Sequence, residues 1–434
     1  MAGDHRGEAA VTARRTFARV MAVLLALSAA LVVALYLVVK TLLAPLPGEW
    51  ATSIRLGPVR LQASVPALLR LATAPWLAPL LDGRTVAAYN GPVHLAWQAD
   101  SQTLAARCAP CAVQAPALGG EPVEVDELRL TIQRHGEQLN GEISSGQVKA
   151  VWHGDLTKGG LRLRLQLPMT PMADAYALFG ASIPELAQAR IEGRLALTAT
   201  LALPGGEFSM TPQIEAFQVS GLGTEALVNA RSACSDTASR LTPESWLARA
   251  VIAAEDQRFY EHGGYDLAEL SAALVQNQDS RPEGRAGRGA STLTQQLAKL
   301  LVTGDERSPA RKLRELLYAV EMEQTLGKNR ILRLYLAHAP WGNGICGAEA
   351  ASKRYFGRPA TALNPSQAAW LAAMLHNPAL EAEHWASTGQ INVARTQWVL
   401  MGMRALPRQQ RQRLARQLGE PGHEVWKAQV TKQR

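Results

Sequence analysis

Two short polar motifs hold the side chains best suited to chemistry. The first, EDQRFYEHGG at residues 255–264, places two adjacent acids ahead of an aromatic residue and a histidine. The second, GASTLTQQLAK at residues 289–299, ends a run of hydroxyl and amide groups with a lysine. Carboxylates could take a proton from a sugar hydroxyl, and a cation could bind a phosphate. Either motif alone is more typical of an ordinary charged or polar helix, so the hypothesis rests on the two together.

Helical spacing extends this hypothesis beyond the two motifs. Thr292, Gln296 and Lys299 fall at i, i+4 and i+7, so a helix would place them on one face. Arg311 and Glu315 share a face of the next predicted helix. The simplest interpretation of that last spacing, taken alone, is a surface ion pair worth about 0.3–0.5 kcal/mol.

The charge around these positions favours an anionic ligand. Eight Lys or Arg residues stand against four Asp or Glu residues between positions 281 and 315. Ammonium and guanidinium groups are the usual protein partners of phosphate. A basic stretch next to a pair of acids therefore suits a phosphate-bearing substrate.

Composition describes a folded protein of 434 residues, long enough for two or three domains, with 47% hydrophobic and 19% charged residues. The formal net charge is +8. Much of this excess lies in residues 401–434, where eight Lys or Arg residues accompany two Glu residues. Such a basic tail suits either nucleic acid or an anionic membrane surface.

The amino-terminal segment favours the membrane. Residues 20–39 are uncharged and apolar, and a helix of that length spans roughly the 30 Å hydrocarbon core. Three arginines precede this run and one lysine closely follows it, which predicts a cytoplasmic tail at 1–19 and an uncleaved anchor at 20–43. A cleaved signal peptide is the alternative, but its apolar core is usually about 7–15 residues. Nucleic acid is therefore not an expected partner.

The four cysteines fit an oxidising compartment. Cys108 and Cys111 form a CAPC motif, which could be a redox site, half a metal site or a local disulfide. The absence of a second CxxC motif and of a thioredoxin-like pattern favours a structural bridge or two plain thiols. The pairing of Cys234 and Cys346 cannot be read from the sequence.

Residues 50–215 predict a β-rich domain of unknown role. Segments that alternate between apolar and polar residues are typical of strands with one buried face. They occupy residues 59–65, 92–98, 123–133, 147–154, 161–167 and 194–203. An antiparallel sheet or sandwich is expected, interrupted by a helical interval at 172–189. The pattern distantly resembles the β-rich repeats of AsmA-like envelope proteins.

The second half predicts an all-α domain at 241–400, preceded by a linker at 216–240 and followed by a basic tail at 401–434. Apolar residues there recur at a helical period. The predicted helices cover 246–255, 268–276, 292–302, 310–326, 328–336, 347–355 and 365–374.

The motif Glu255-Asp256-x-x-Phe259-x-x-His262 resembles the first motif of glycosyltransferase family 51, the peptidoglycan glycosyltransferases. The likeness continues through S-T-x-T-Q-Q-L-x-K at 291–299, R-K-x-x-E at 311–315, K-x-x-I-L-x-x-Y-L at 328–336, YF at 355–356 and QAA at 367–369. The stretch at 341–351 is most similar to monofunctional members. The chain carries no transpeptidase signature after these motifs.

This resemblance implies a lysozyme-like helical domain that polymerises lipid II by inverting glycosyl transfer and releases undecaprenyl pyrophosphate. It implies that Glu255 is the general base. Glu315 would be the second catalytic glutamate, supporting the donor site or a divalent ion, Mg²⁺ or Mn²⁺. The implied substrate-binding residues are Asp256, Phe259, His262, Ser291, Thr292, Gln295, Gln296, Lys299, Arg311 and Lys312.

The resemblance also implies partners and a location: lipid II, the growing glycan chain, the bacterial inner membrane and other cell-wall synthases, with the catalytic domain in the periplasm. Two positions depart from the family pattern, Ala337 in place of a usual Asn and Gly289-Ala290 in place of Gly-Gly. They bear on efficiency more than on reaction class. A glycan-cleaving, lysozyme-like enzyme and a non-catalytic envelope protein with a degenerate domain remain alternatives.

Overall fold

The computed structural model describes residues 21–47 (apart from 22, 23, 26, 29 and 35), 51–56, 59–88, 91–114, 122–157, 160–203, 205, 207–230, 239, 241–280, 289–306 and 308–420. The expected cytoplasmic tail lies outside these residues, as does part of the expected anchor. The described positions between 21 and 43 are helical, and most of them are exposed. Among the described residues, no helix is both long and apolar enough to cross a membrane.

The β-rich region is built around a nine-stranded antiparallel sheet in the order β13-β12-β11-β10-β9-β8-β5-β4-β3. Two smaller pairs, β1–β2 and β6–β7, lie beside it. The strands are β1 Ala51–Leu56, β2 Val59–Ser64, β3 Thr85–Ala88, β4 Gly91–Gln98, β5 Thr103–Cys108, β6 Cys111–Gln114, β7 Pro122–Val125, β8 Leu128–His135, β9 Gln138–Ser145, β10 Val148–Leu156, β11 Leu161–Pro171, β12 Arg190–Leu203 and β13 Glu207–Ser220. The expected antiparallel, β-rich architecture is therefore confirmed.

Alternation of buried and exposed side chains explains most of this sheet. Strand β10 alternates strictly, and its Trp152 packs against Leu139, Leu156 and Leu161. The single strand expected at 123–133 is wrong: β7 pairs with β6, whereas β8 pairs with β5 in the main sheet. Strand β13 went unpredicted; it contains Pro212, which an edge strand tolerates because one of its sides needs no ladder hydrogen bonds.

Short helices and a disulfide bond within the CAPC motif complete the first region. Helix α1, Val65–Ala72, follows β2, and helix α2, Met172–Ala177, follows β11. The helical interval expected at 172–189 continues as two 3₁₀ turns, Gly180–Ser182 and Pro184–Ala187. Cys108 and Cys111 form a disulfide between β5 and β6, which confirms the structural bridge.

The described residues of the second region form helices joined by turns, with an isolated β-bridge between Pro340 and Cys346. Its helices are α3 Trp246–Glu255, α4 Leu267–Ser280, α5 Leu293–Ala298, α6 Pro309–Thr325, α7 Lys328–His338, α8 Ala348–Phe356, α9 Pro365–Met374, α10 Pro378–Thr388, α11 Val393–Gly402 and α12 Arg408–Gly419. The helix expected at 292–302 ends earlier, because a π-helical turn, Lys299–Thr303, follows α5. The basic tail begins as α12, which packs on α11 and receives a hydrogen bond from Gln397 to the Ala415 carbonyl (2.8 Å).

A continuous apolar core holds these helices together. Every residue of α9 except Pro365 is buried, and the rings of Tyr355, Phe356 and Trp385 contact Trp370. Trp341 is fully buried, and its indole donates to the Leu371 carbonyl (2.9 Å). The motif-bearing helices α3, α5 and α7 contribute to the same core.

The two regions share a smaller core. Leu317 and Val320 of α6 are buried against residues of the β-rich region, among them Tyr176 of α2 and Phe217 of β13. The Tyr176 hydroxyl also donates to the Leu313 carbonyl of α6 (3.3 Å). Helix α6 therefore lies between the β-rich region and the rest of the helical region.

Candidate active site

Glu255 is the last residue of α3. Ser245 starts this helix by accepting a hydrogen bond from the Ala248 N–H, and a stripe of buried alanine, leucine and valine side chains fixes its orientation. One carboxylate oxygen of Glu255, Oε2, accepts from Gln296 Nε2 at 3.0 Å. The other, Oε1, is buried, and no described group donates to it. Only one of the two carboxylate oxygens of Glu255 thus has a described hydrogen-bond donor.

Burial raises the pKa of the Glu255 carboxyl above its usual range, because water no longer stabilises the charged form. The Gln296 hydrogen bond opposes this rise, followed by the positive charges of Arg395 and His376. A carboxylate with a raised pKa is a stronger base than one in water. This environment suits proton acceptance at neutral pH.

A buried tyrosine orients the amide that contacts Glu255. The Tyr335 hydroxyl of α7 donates to Gln296 Oε1 at 2.8 Å. With its oxygen accepting from Tyr335, the Gln296 amide must present its NH₂ group to Glu255. Tyr335 is almost fully buried, and burial raises the pKa of its phenol far above the usual range, so it remains a donor.

Asp256 and His262 form a buried pair beside Glu255. His262 Nε2 lies 2.9 Å from Asp256 Oδ1, and Asp256 Oδ2 accepts from the Leu293 N–H at the start of α5 (3.0 Å). This pair ties the end of α3 to the start of α5. Phe259 is fully buried, and the ammonium group of Lys328 lies 4.4 Å from its ring centre. Direct substrate contact by Asp256, Phe259 and His262 stays a prediction.

The side chains of Thr292 and Gln295 both cap the start of α5. The Thr292 hydroxyl accepts from the Gln295 N–H, and the Gln295 side chain accepts from the Thr292 N–H, which is a capping box. Thr292 Oγ1 also donates to the Gly264 carbonyl (2.7 Å). Gly264 has φ +88°, and a Cβ there would lie 2.9 Å from the Ala319 carbonyl of α6. Glycine therefore lets the first motif approach α6 closely.

The start of α6 holds a cluster of charges around a buried glutamate. Glu315 is 1% exposed and pairs with both Arg311 and Lys312, the latter at 3.0 Å. A surface ion pair, the simple interpretation of the Arg311–Glu315 spacing, is therefore wrong. Lys312 Nζ also donates to Ser291 Oγ at 2.8 Å. Residues 291–296 thus connect this cluster to Glu255.

Lys299 lies at the first position of the π-helical turn. It is 37% exposed and pairs with Asp305 at 2.6 Å. Asp305 is 91% exposed, and the hydrogen bond from Lys299 lowers the pKa of its carboxyl, which the charge of Arg311 also lowers. An exposed partner of this kind can yield to a phosphate oxygen without leaving a buried charge unpaired.

Glu315 does not fit a metal site made by the protein alone. Both of its oxygens face cations, Arg311 and Lys312. Within the described ranges, no group of three or more His, Cys, Asp or Glu side chains could hold a metal ion. A divalent ion at this site would have to take most of its ligands from the phosphates of a substrate.

Three residues near Glu255 were missed by the sequence analysis. Arg395 of α11 donates to the Ala254 carbonyl (3.4 Å), and His376 follows α9 and lies 3.5 Å from Glu381. Tyr335 was noted as part of a motif but not assigned to the site. Only the fold reveals these contacts, since the residues are 80–140 positions from Glu255 in the chain.

The arrangement joins a half-satisfied, basic carboxylate to a cluster of anion-binding cations on a helical scaffold. Such a site is typical of a transferase, in which a base activates a hydroxyl and cations stabilise a phosphate-bearing group.

Comparison with known proteins identifies the family. The transglycosylase family model matches residues 231–404. A biosynthetic peptidoglycan transglycosylase from Citrobacter koseri is 42% identical over 214 residues, which is 49% of this chain and 84% of the relative. Another from Bordetella avium is 48% identical over 159 residues, 36% of this chain and 65% of the relative. The chain belongs to the transglycosylase family, glycosyltransferase family 51.

Proposed function

We propose that this protein polymerises lipid II into the glycan strands of peptidoglycan. The observation that carries the proposal is the carboxylate of Glu255, with one oxygen lacking a described donor, linked through residues 291–296 to the cations Arg311 and Lys312 around buried Glu315. Membership of a family whose relatives are biosynthetic peptidoglycan transglycosylases supports it.

In the proposed reaction, Glu255 takes the proton of the acceptor sugar's 4-hydroxyl through its free oxygen, Oε1. The hydroxyl oxygen then forms a bond to the anomeric carbon of the donor, with inversion. The bond from that carbon to the lipid pyrophosphate breaks, and the electron pair leaves with the pyrophosphate. Because this leaving group is already a stable anion, it needs electrostatic stabilisation more than protonation.

The cations are assigned to the pyrophosphate. Arg311 and Lys312 lie in the first turn of α6, where the helix dipole also favours an anion. Lys299 would exchange Asp305 for a phosphate oxygen. A divalent ion, Mg²⁺ or Mn²⁺, remains a proposal and would arrive with the substrate's phosphates.

The membrane context is also proposed. An apolar helical segment at 21–43 would anchor the protein in the inner membrane, with the catalytic region in the periplasm, where lipid II is presented. This location would bring the enzyme near other cell-wall synthases. The uncharged run at 20–39 and the three arginines before it support the proposal.

Incubation of the purified protein with labelled lipid II tests the function. We expect a polymer that lysozyme digests. Release of small glycans from preformed strands would favour a cleaving enzyme instead, and no reaction with either substrate would favour a non-catalytic envelope protein.

A further inference from the structure

The β-rich region lies outside the family match at 231–404, yet it touches the helix that carries the proposed phosphate-binding cations. Residue Glu185, in the 3₁₀ turn Pro184–Ala187, holds Arg314 of α6 with both carboxylate oxygens. The distances from Arg314 Nε are 2.7 and 2.9 Å, and the Glu185 side chain is 5% exposed. This is a bidentate, largely buried ion pair across the boundary between the two regions.

Helix α6 presents two faces with different partners. Arg311 and Glu315, at i and i+4, lie on the face that carries the charge cluster. Arg314, Leu317 and Glu321 follow the spacing i, i+3, i+7 and form the face toward the β-rich region. A rotation of the helix that disturbed one face would therefore disturb the other.

The second face is fixed at both ends. Near its start, two contacts hold the helix: the Arg314–Glu185 ion pair and the hydrogen bond from the Tyr176 hydroxyl to the Leu313 carbonyl. Near its end, the buried Glu321 carboxylate accepts from the Leu222 N–H just after β13 (2.9 Å). Leu317 and Val320 are buried between these polar contacts.

Charge explains why the start of α6 needs a partner from outside. Arg311, Lys312 and Arg314 lie in the first six residues, and no acidic residue occupies the first turn. Cations are unfavourable at this positive end of the helix dipole. Glu315 compensates Arg311 and Lys312, but consecutive side chains on a helix point apart, so it cannot serve Arg314 in the same geometry.

We propose that Glu185 is a positioning residue for the phosphate site, holding α6 through Arg314 so that the helix keeps its anion-binding cations aimed at the substrate. The inference deepens the proposed function and rests on it for the identity of the bound phosphate. It also assigns the β-rich region a role: this region completes the electrostatic support of a site whose binding groups all lie elsewhere.

Steady-state kinetics of the full-length protein test the proposal. We expect Glu185→Gln and Arg314→Gln each to raise the KM for lipid II by about tenfold, since a buried charge-assisted contact is lost. The kcat should fall by less than the KM rises, because proton transfer by Glu255 is untouched and only the stabilisation of the leaving pyrophosphate is weakened. The double variant should match the single variants, because both remove the same interaction.

A matched control comes from the same region. Glu137 pairs with Arg70 through two carboxylate oxygens (3.0 Å from Nε to Oε2), but Glu137 is 58% exposed and lies in the turn between β8 and β9. Glu137→Gln should leave KM unchanged. If Glu185→Gln does not fold, Arg314→Lys serves in its place, because lysine keeps the charge and loses the bidentate geometry.

Titration with inorganic pyrophosphate gives a readout that does not need turnover. We expect about tenfold weaker binding to Glu185→Gln than to the wild type or to Glu137→Gln. Equal pyrophosphate affinity or equal KM in folded Glu185→Gln or Arg314→Lys overturns the positioning role. A fall in kcat alone would overturn it as well. A wild type that binds pyrophosphate but does not polymerise lipid II would instead contradict the proposed function.

Discussion

The amide of Gln296 donates to the carboxylate of Glu255 across 3.0 Å, leaving the second carboxylate oxygen without a described protein donor. Gln296 is itself fixed by Tyr335, so the amide cannot turn to offer its oxygen. The Glu255 carboxylate is therefore held in one orientation, and its second oxygen is left to accept a proton.

Arg395 should tune the pH dependence of the reaction. Its positive charge lowers the pKa of Glu255, which burial has raised. Removing the charge in Arg395→Met should raise that pKa further, so the active, ionised base would appear only at higher pH. We expect the acidic limb of the rate–pH profile to move upward. Arg330→Met, at an exposed position on α7, is the control and should leave the limb in place.

Lys299 and Asp305 should have opposite effects on donor binding. Lys299→Ala removes a proposed phosphate contact and should weaken pyrophosphate binding by about tenfold. Asp305→Asn removes the competing carboxylate and should strengthen binding by a few-fold, because the exposed pair contributes little on its own. Calorimetric titration measures both. Weaker binding in Asp305→Asn would mean that Asp305 supports the site and does not compete for it.

Glu255 should cost stability at neutral pH. Its pKa is raised on folding, so the unfolded carboxyl loses its proton first as pH rises, and the folded state retains more protons. Stability attributable to this group therefore falls with rising pH, from the unfolded pKa of about 4.3 up to the raised folded value. We expect Glu255→Gln to raise Tm at neutral pH, with a gain that disappears near pH 4. The exposed Glu383→Gln is the control. A Tm gain that did not vary with pH would exclude this cause.

The proposed topology has its own test. A reporter fused after Arg434 should behave as periplasmic, and the same reporter placed within residues 1–19 should behave as cytoplasmic. The physical reason is the cluster of arginines before the apolar run. A cytoplasmic signal from the carboxyl-terminal fusion would overturn the proposed location of the whole catalytic region.

The sequence predicted the helices up to Met374 because local patterns determine them, whereas α10 and α11 were not predicted. Helix α9 occupies the predicted residues 365–374, and the structure shows that Asn364 caps its start. The π-helical turn after Ala298 was not predictable, since residues 292–302 continue a helical pattern without a break. Its consequence is local: Lys299 leaves the regular helix and lies next to Asp305.

The sequence identified many residues of the site but did not predict which of them are in contact. Motif residues such as Glu255 and Gln296 are neighbours because tertiary packing brings the end of α3 to α5, and their 3.0 Å contact has no local signature in the sequence. The pairing of Arg314 with Glu185, 129 positions away, could not be anticipated either, because it depends on how the β-rich region packs against α6. Burial, which decides whether Arg311–Glu315 is a surface pair, is likewise set by tertiary packing.

The central claim is that Glu255 transfers the proton, and one comparison tests it most directly: lipid II polymerisation by the wild type and by Glu255→Gln, with pyrophosphate affinity measured on the same samples. Glutamine keeps the size and most hydrogen bonding of glutamate but cannot accept the proton. The account predicts a loss of turnover of about 10²–10⁴-fold with unchanged pyrophosphate affinity. Near wild-type turnover in Glu255→Gln would contradict it, and the base would then have to be sought at Asp256 or Glu315.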